Sequence, residues 1–159
     1  MTKRTSQRFK ALLDELQGIY ESLGENTTAT ETPDGITTVE QDGRKWVRVK
    51  IYDEDFMLAV NDFEKDGKTE FEWKEAMDAV DEVGLTMPDF KQWSLVMAYK
   101  DEINRQMKEA GGEPLTGDYW SVARYGSYYA WFYHGNLGTL HNYYLYCAYS
   151  VRPLAFFKS

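Results

Sequence analysis

Apolar residues recur at helical spacing through "TSQRFKALLDELQGIYESLG". Phe9, Leu12, Leu13, Leu16, Ile19, Tyr20 and Leu23 fall on one stripe, Thr5 or Ser6 can cap the start, and Gly24 ends it. The pattern predicts an amphipathic helix within residues 1–24. It either packs back on the rest of the chain, pairs with copies of itself, or docks a partner. Residues 25–35, "ENTTATETPDG", have no apolar period and close on Pro-Asp-Gly, so they read as a linker.

From residue 36 the period shortens to two. "WVRVKIY" alternates, "FMLAV" is an apolar run, and Asp42-Gly43 is a hairpin-type turn, which together predict short antiparallel strands. Helical spacing returns over Phe71 to Val83, with Trp73, Ala76, Met77 and Val80 on one stripe. A second helix is expected to start near Pro88 and run to Gly111-Gly112, with Trp93, Val96, Met97 and Ile103 as its apolar side. After Asp118 only short strands and loops are predicted: "YWSVAR", "YYAWFY", "TLHNYYLY" and "SVRPLAFF". The expected class is α+β, two helices plus a small antiparallel sheet, in one domain over residues 36–159.

Charge divides the chain unevenly. Residues 1–118 hold all 26 acids and 15 of the 18 basic residues, whereas 119–159 hold only Arg124, Arg152 and Lys158. The overall net charge of −8 argues against nucleic acid as a partner. No apolar run is long enough for a membrane helix, and charges interrupt the N-terminal segment where a signal peptide would need an apolar core. No membrane insertion is therefore expected, and the expected location is cytoplasmic or virion-associated. One cysteine, Cys147, excludes an internal disulfide framework, and with only His134 and His141 beside it no zinc site is expected.

The chain has no glycine-rich phosphate loop, no Gly-x-Ser-x-Gly elbow and no His-Glu-x-x-His pair. "DFEKDGKTEFE" lacks the ligand order of a calcium loop. A Cys147–histidine dyad is the one conceivable nucleophile and base, but the spacing does not favour it. The expectation is a protein without catalytic residues, metal or cofactor.

Three segments carry a resemblance. "LTMPDFKQWSLV", through Met87-Pro88 and Trp93, resembles the segment of the C-type-lectin-like, sulfatase-modifying-factor-like family in which a helix begins after Leu-Pro. "GDYWSVARYGSYYAW" resembles the family's Tyr-Trp-Ser and Tyr-Ala-Trp pattern through Tyr119, Trp120, Ser121, Ala130 and Trp131. "SVRPLAFF" resembles its closing strand through Val151, Arg152 and Pro153, and coverage is roughly residues 46–157. The family's oxidases use reactive cysteines and its sugar-binding lectins use Glu-Pro-Asn or Gln-Pro-Asp with calcium; this chain has one cysteine and neither tripeptide. The resemblance then implies a binding scaffold. Trp120, Trp131 and the closing strand would be its framework, with Arg152 satisfying buried carbonyls or pairing with an acid of the helical half.

Within that family the alphabet is most similar to the variable proteins of diversity-generating retroelements, phage or bacterial proteins whose C-terminal region is randomised at template adenines. Randomised asparagine codons cannot yield Lys, Glu, Gln, Met or Trp. The first 120 residues contain 35 of the first four types, so thirty residues at that frequency would hold about nine; residues 121–150 hold none, and their one tryptophan is Trp131. Tyrosines come as doublets, Tyr128-Tyr129 and Tyr143-Tyr144, among Ser, Gly, Asn and His, the composition of an antibody-like paratope. The resemblance implies a hypervariable, ligand-binding display protein that contacts a protein or cell-surface ligand. Its contact residues would be Arg124, Tyr125, Ser127, Tyr128, Tyr129, Tyr133, His134, Asn136, Thr139, His141, Asn142, Tyr143, Leu145, Cys147 and Tyr149. The alternative is a C-type-lectin-like adhesin or structural binding domain of fixed sequence.

Overall fold

The alternating stretch after residue 35 folds as three antiparallel strands, β1 (Gly35–Gln41), β2 (Arg44–Ile51) and β3 (Glu54–Ala59), in a computed structural model that describes residues 35–158. The helix expected at 1–24 and the linker up to residue 34 lie outside the described residues. Asp42-Gly43 forms the expected turn, with Gln41 opposite Arg44. β2 has Trp46, Val47, Arg48 and Val49 buried in succession, so this sheet is covered on both faces. Val47 and Val49 enter the main core, while Trp46 packs with Met57 and Ala59 on the other side. Arg48 stays on that other side because Asp55 binds it with two hydrogen bonds, 2.7 and 2.8 Å, and the Phe157 ring covers it at 3.9 Å.

Three helices follow, not two. α1 (Trp73–Glu82) begins two residues later than the apolar period suggests, because Phe71 is instead held by backbone hydrogen bonds in both directions to Tyr149, 2.8 and 3.0 Å. α2 (Phe90–Ala98) is capped by Asp89, whose carboxylate accepts from the Gln92 N–H at 2.7 Å, while Gln92 reaches back to the Asp89 N–H. The expected single helix is interrupted at Tyr99, whose backbone leaves helical geometry at φ −117°, and α3 (Lys100–Glu109) resumes. The break keeps Trp93 and Val96 of α2 in the same buried cluster as Ile103 and Met107 of α3. A periodicity reading does not register it, because the apolar stripe continues across the interruption.

A second antiparallel sheet closes the chain: β4 (Asp118–Tyr125), β5 (Tyr129–His134) and β6 (Thr139–Tyr144), in that order. A short β7 (Leu154–Ala155) returns to the first sheet beside β3. The protein is therefore α+β with two small antiparallel sheets, where a single sheet was expected. Arg152, fully buried just before β7, ties these parts together. It donates to the Ala59 carbonyl (3.3 Å) and the Glu113 carbonyl (2.8 Å), and pairs with Asp62 at 2.8 Å. The acid is thus in the segment after β3, not in the helical half. No described helix is long and apolar enough to cross a membrane.

Candidate binding face

Strand register sorts the acid-free segment into rungs. Tyr119, Tyr133 and Leu140 oppose one another across β4, β5 and β6; Tyr125, Tyr129 and Tyr144 form another rung on the same face. The first rung is sealed. Trp93 of α2 stacks on Tyr133 at 4.8 Å with only 7° between the planes, and on Tyr119 at 5.9 Å. The second rung is open: Tyr125 and Tyr144 are exposed and Tyr129 is half-buried, its ring 4.7 Å from that of Tyr144. Between the two rungs Trp131 contacts both Phe90 and Tyr125.

The opposite face follows the same rule. Trp120, Ala130 and Phe132 are buried against Phe71, Val80 and Met87, and Tyr149 covers them at 4.8 Å from Trp120 and 4.6 Å from Phe132. Beside this core His134 is held by Asp118, and His141 packs at 5.8 Å from Phe132 and 6.0 Å from His134. Thr139 hydrogen-bonds His141 at 2.8 Å. The register shift in β4 between Trp120 and Arg124 leaves its backbone groups to other partners: the Trp73 indole donates to the Ser121 carbonyl at 2.8 Å, and the Val122 N–H donates to the Pro88 carbonyl.

The loop between β5 and β6 cannot vary freely at its ends. A Cβ on Gly135 would lie 2.3 Å from the Leu115 carbonyl oxygen and 2.7 Å from that of Gly117, both rigid backbone atoms. Gly138 has φ +65° and is covered by the Lys100 side chain. Asn136 and Leu137 at the tip are exposed.

Of the fifteen residues expected as contacts, Arg124, Tyr125, Ser127, Tyr128, Asn136, His141 and Tyr143 are exposed. Tyr129, His134, Thr139, Asn142, Leu145, Cys147 and Tyr149 are half-buried. Arg124 is also structural: it donates to the Ser127 carbonyl at 2.6 Å and sits over the Trp73 ring. Tyr133 must be reassigned. It is 0% exposed and belongs to the main core, and its hydroxyl has no hydrogen-bond partner among the described residues. Burial, then Tyr119 and Asp101, push that hydroxyl up to about 12. Tyr149 is likewise pushed up to about 12 by burial, with Asp118, Cys147 and Tyr143 adding to it. The Tyr129 hydroxyl is raised mainly by its hydrogen bond to Tyr144.

Three exposed residues belong beside these and were not singled out from sequence: Leu137, Tyr144 and Tyr146, the last 72% exposed. For Tyr144 a signal existed, since a tyrosine doublet on a strand must point to both faces. Cross-face contact then assembles a continuous group, with Tyr143 5.8 Å from Tyr144 and 6.2 Å from Tyr149.

Neither the protein-family models nor the curated proteins give a match to this chain.

Proposed function

We propose that the protein is a non-catalytic display protein, a C-type-lectin-like scaffold that presents a diversified, tyrosine-rich face over residues 121–150 to a protein or cell-surface ligand. One observation carries this reading. Within a single acid-free segment, exposed Tyr, Asn, His and Ser positions alternate with positions locked in the tryptophan-containing cores, Ala130, Phe132 and Tyr133, and with Gly135, which the Leu115 and Gly117 carbonyls confine. Outward residues can change while inward ones hold the fold. Tyrosine supplies large, rigid contact area with few rotamers to freeze, and Ser, Gly and Asn adapt around it. Contact would be led by a few of the exposed rings, with individual hot spots worth at least about 2 kcal/mol. Trp120, Trp131 and Arg152 serve as framework in this reading, and variation falls outside them.

The test is genetic. Sequencing the gene in a growing population should reveal a near-copy of its 3′ end beside a reverse transcriptase, with substitutions at the codons of Tyr128, Tyr143 and Tyr144. Invariant codons and no near-copy would leave the fixed-sequence binding domain as the reading. Unchanged Tyr133 and Gly135 codons amid variation at their neighbours would match the burial pattern.

A further inference from the structure

The described arginines differ in how they are held. Arg48, Arg105 and Arg152 each pair with a carboxylate, and Arg124 donates to a backbone carbonyl. Arg44, the first residue of β2, is exposed and has neither a hydrogen bond nor an ion pair among the described residues. Its guanidinium lies 5.2 Å over the Trp46 ring. In a chain with 26 acids and 18 basic residues, an arginine without an acid is a cation left for something else.

Arg44 lines a cavity of about 300 Å³ where β2 begins and the chain leaves β3. Trp46, Ala59, Pro153 and the half-buried Phe63 give it an apolar floor. Lys45 also borders it, but the alternation of β2 sends that side chain to the face opposite Arg44 and Trp46. The chain after β3 supplies the acids, Asp62 and Glu64. Its backbone is tied on both sides of Asp62: the Val60 carbonyl accepts from the Glu113 N–H, and the Phe63 N–H donates to the Val151 carbonyl, both at 2.8 Å.

The Asp62 side chain is fixed as well. Both of its bonds from the buried Arg152, 2.8 and 3.1 Å, fall on Oδ1, and Oδ2 has no partner among the described residues. Nor is Oδ2 one of the buried unpaired atoms, which are the Thr37 and Tyr133 hydroxyls, so water or a ligand reaches it. A carboxylate oxygen held this way is a preorganised acceptor for a cationic N–H group. Neither Asp62 nor Glu64 forms an ion pair with Arg44. One cavity thus holds an available anion and an available cation that do not reach each other.

A ligand with a single charge would satisfy one of them and leave the other unmatched, whereas a zwitterion satisfies both. The volume lies at the small end of the range for small-molecule sites, about 300–1,000 Å³, which is the scale of a single amino acid. We propose that this cavity binds a free α-amino acid with an apolar side chain. The ligand carboxylate takes the Arg44 guanidinium, its ammonium donates to Asp62 Oδ2, and its side chain lies on Phe63, Ala59 and Pro153. None of these residues falls within 121–150, so the site belongs to the scaffold and its failure would leave the tyrosine-rich face untouched.

Calorimetric titration of the full-length protein with L-leucine near pH 7 should give a Kd at or below about 1 mM. Two truncated ligands divide the site: 4-methylpentanoate lacks the ammonium and 3-methylbutylamine lacks the carboxylate. Each should bind at least about tenfold more weakly than leucine, because each leaves one charge of the cavity unmatched. Arg44→Gln should weaken leucine binding by at least about tenfold with the urea midpoint unchanged, since Arg44 is exposed. Glu64→Gln should leave leucine affinity within about twofold, because Asp62 is the acceptor. Asp62 itself is left in place, since removing it strands the buried Arg152 charge. In ¹⁵N spectra the Trp46 indole resonance, identified by its loss in Trp46→Phe, should move with leucine. Absence of both heat and an indole shift at about 10 mM leucine would overturn the proposal. So would equal binding of either truncated ligand, full affinity in Arg44→Gln, or a tenfold loss in Glu64→Gln.

Discussion

Two rungs of one sheet face, made of almost the same residues, have opposite fates. Tyr119, Tyr133 and Leu140 are closed under Trp93, whereas Tyr125, Tyr129 and Tyr144 stand at the open end of the same three strands. Side-chain type does not distinguish a core tyrosine from a contact tyrosine here. What does is whether α2 lies above the rung. Burying the Trp93 side chain against Tyr133 stabilises the fold by about 1.5–3 kcal/mol or more from apolar burial, and that contribution is absent from the open rung.

The largest effect should come from removing the lid of the closed rung. Trp93→Ala is expected to cost about 3–5 kcal/mol, read from chemical denaturation, because a large fully buried ring leaves a cavity among Val96, Tyr119 and Tyr133. A loss below about 1 kcal/mol would mean the two rungs are not differently supported. Next in size is Arg152→Ala, at about 2–4 kcal/mol. It strands the Ala59 and Glu113 carbonyls, and it removes the partner of Asp62, an acid that water still partly reaches.

A smaller, alkaline effect sharpens the contrast. Tyr133 and Tyr149 titrate at about 12 in the folded protein, against an ordinary value of 10.0. A raised folded value means that their contribution is complete below pH 10 and is lost as pH rises towards 12, since the unfolded chain releases these protons first. Urea midpoints should therefore fall over that window, and by less in Tyr133→Phe. Near pH 7 the same variant should gain about 1 kcal/mol, because it deletes a buried hydroxyl that has no partner among the described residues. A contact tyrosine would behave differently, losing affinity without gaining stability.

Much of this was legible in the sequence, and the misses have physical causes. The strands from residue 36 on, the Asp42-Gly43 hairpin and the strand-rich end were visible as period-two alternation, although β1 begins at Gly35, one residue early. The helix break at Tyr99 was not, since the apolar stripe runs through it without a glycine or proline. The tyrosine-rich alphabet marked the right segment but could not rank its members. Tyr133 and Tyr129 share a strand face, and only Trp93, distant in sequence, decides which is buried. Phe90 was invisible for the same reason: its exposure and its contact with Trp131 arise from the docking of α2 on β5.

The smallest expected effect per residue tests the central claim, that the scaffold is stable independently of the face it carries. Replacing Tyr128, Tyr143, Tyr144 and Tyr146 together by Ser changes four exposed rings, and surface substitutions away from special features are usually within about 0.5 kcal/mol each. Equilibrium urea unfolding of this quadruple variant should remain one cooperative transition, within about 2 kcal/mol of the parent. Loss of cooperativity, or a drop as large as that of Trp93→Ala, would place these tyrosines in the structural core and contradict the account.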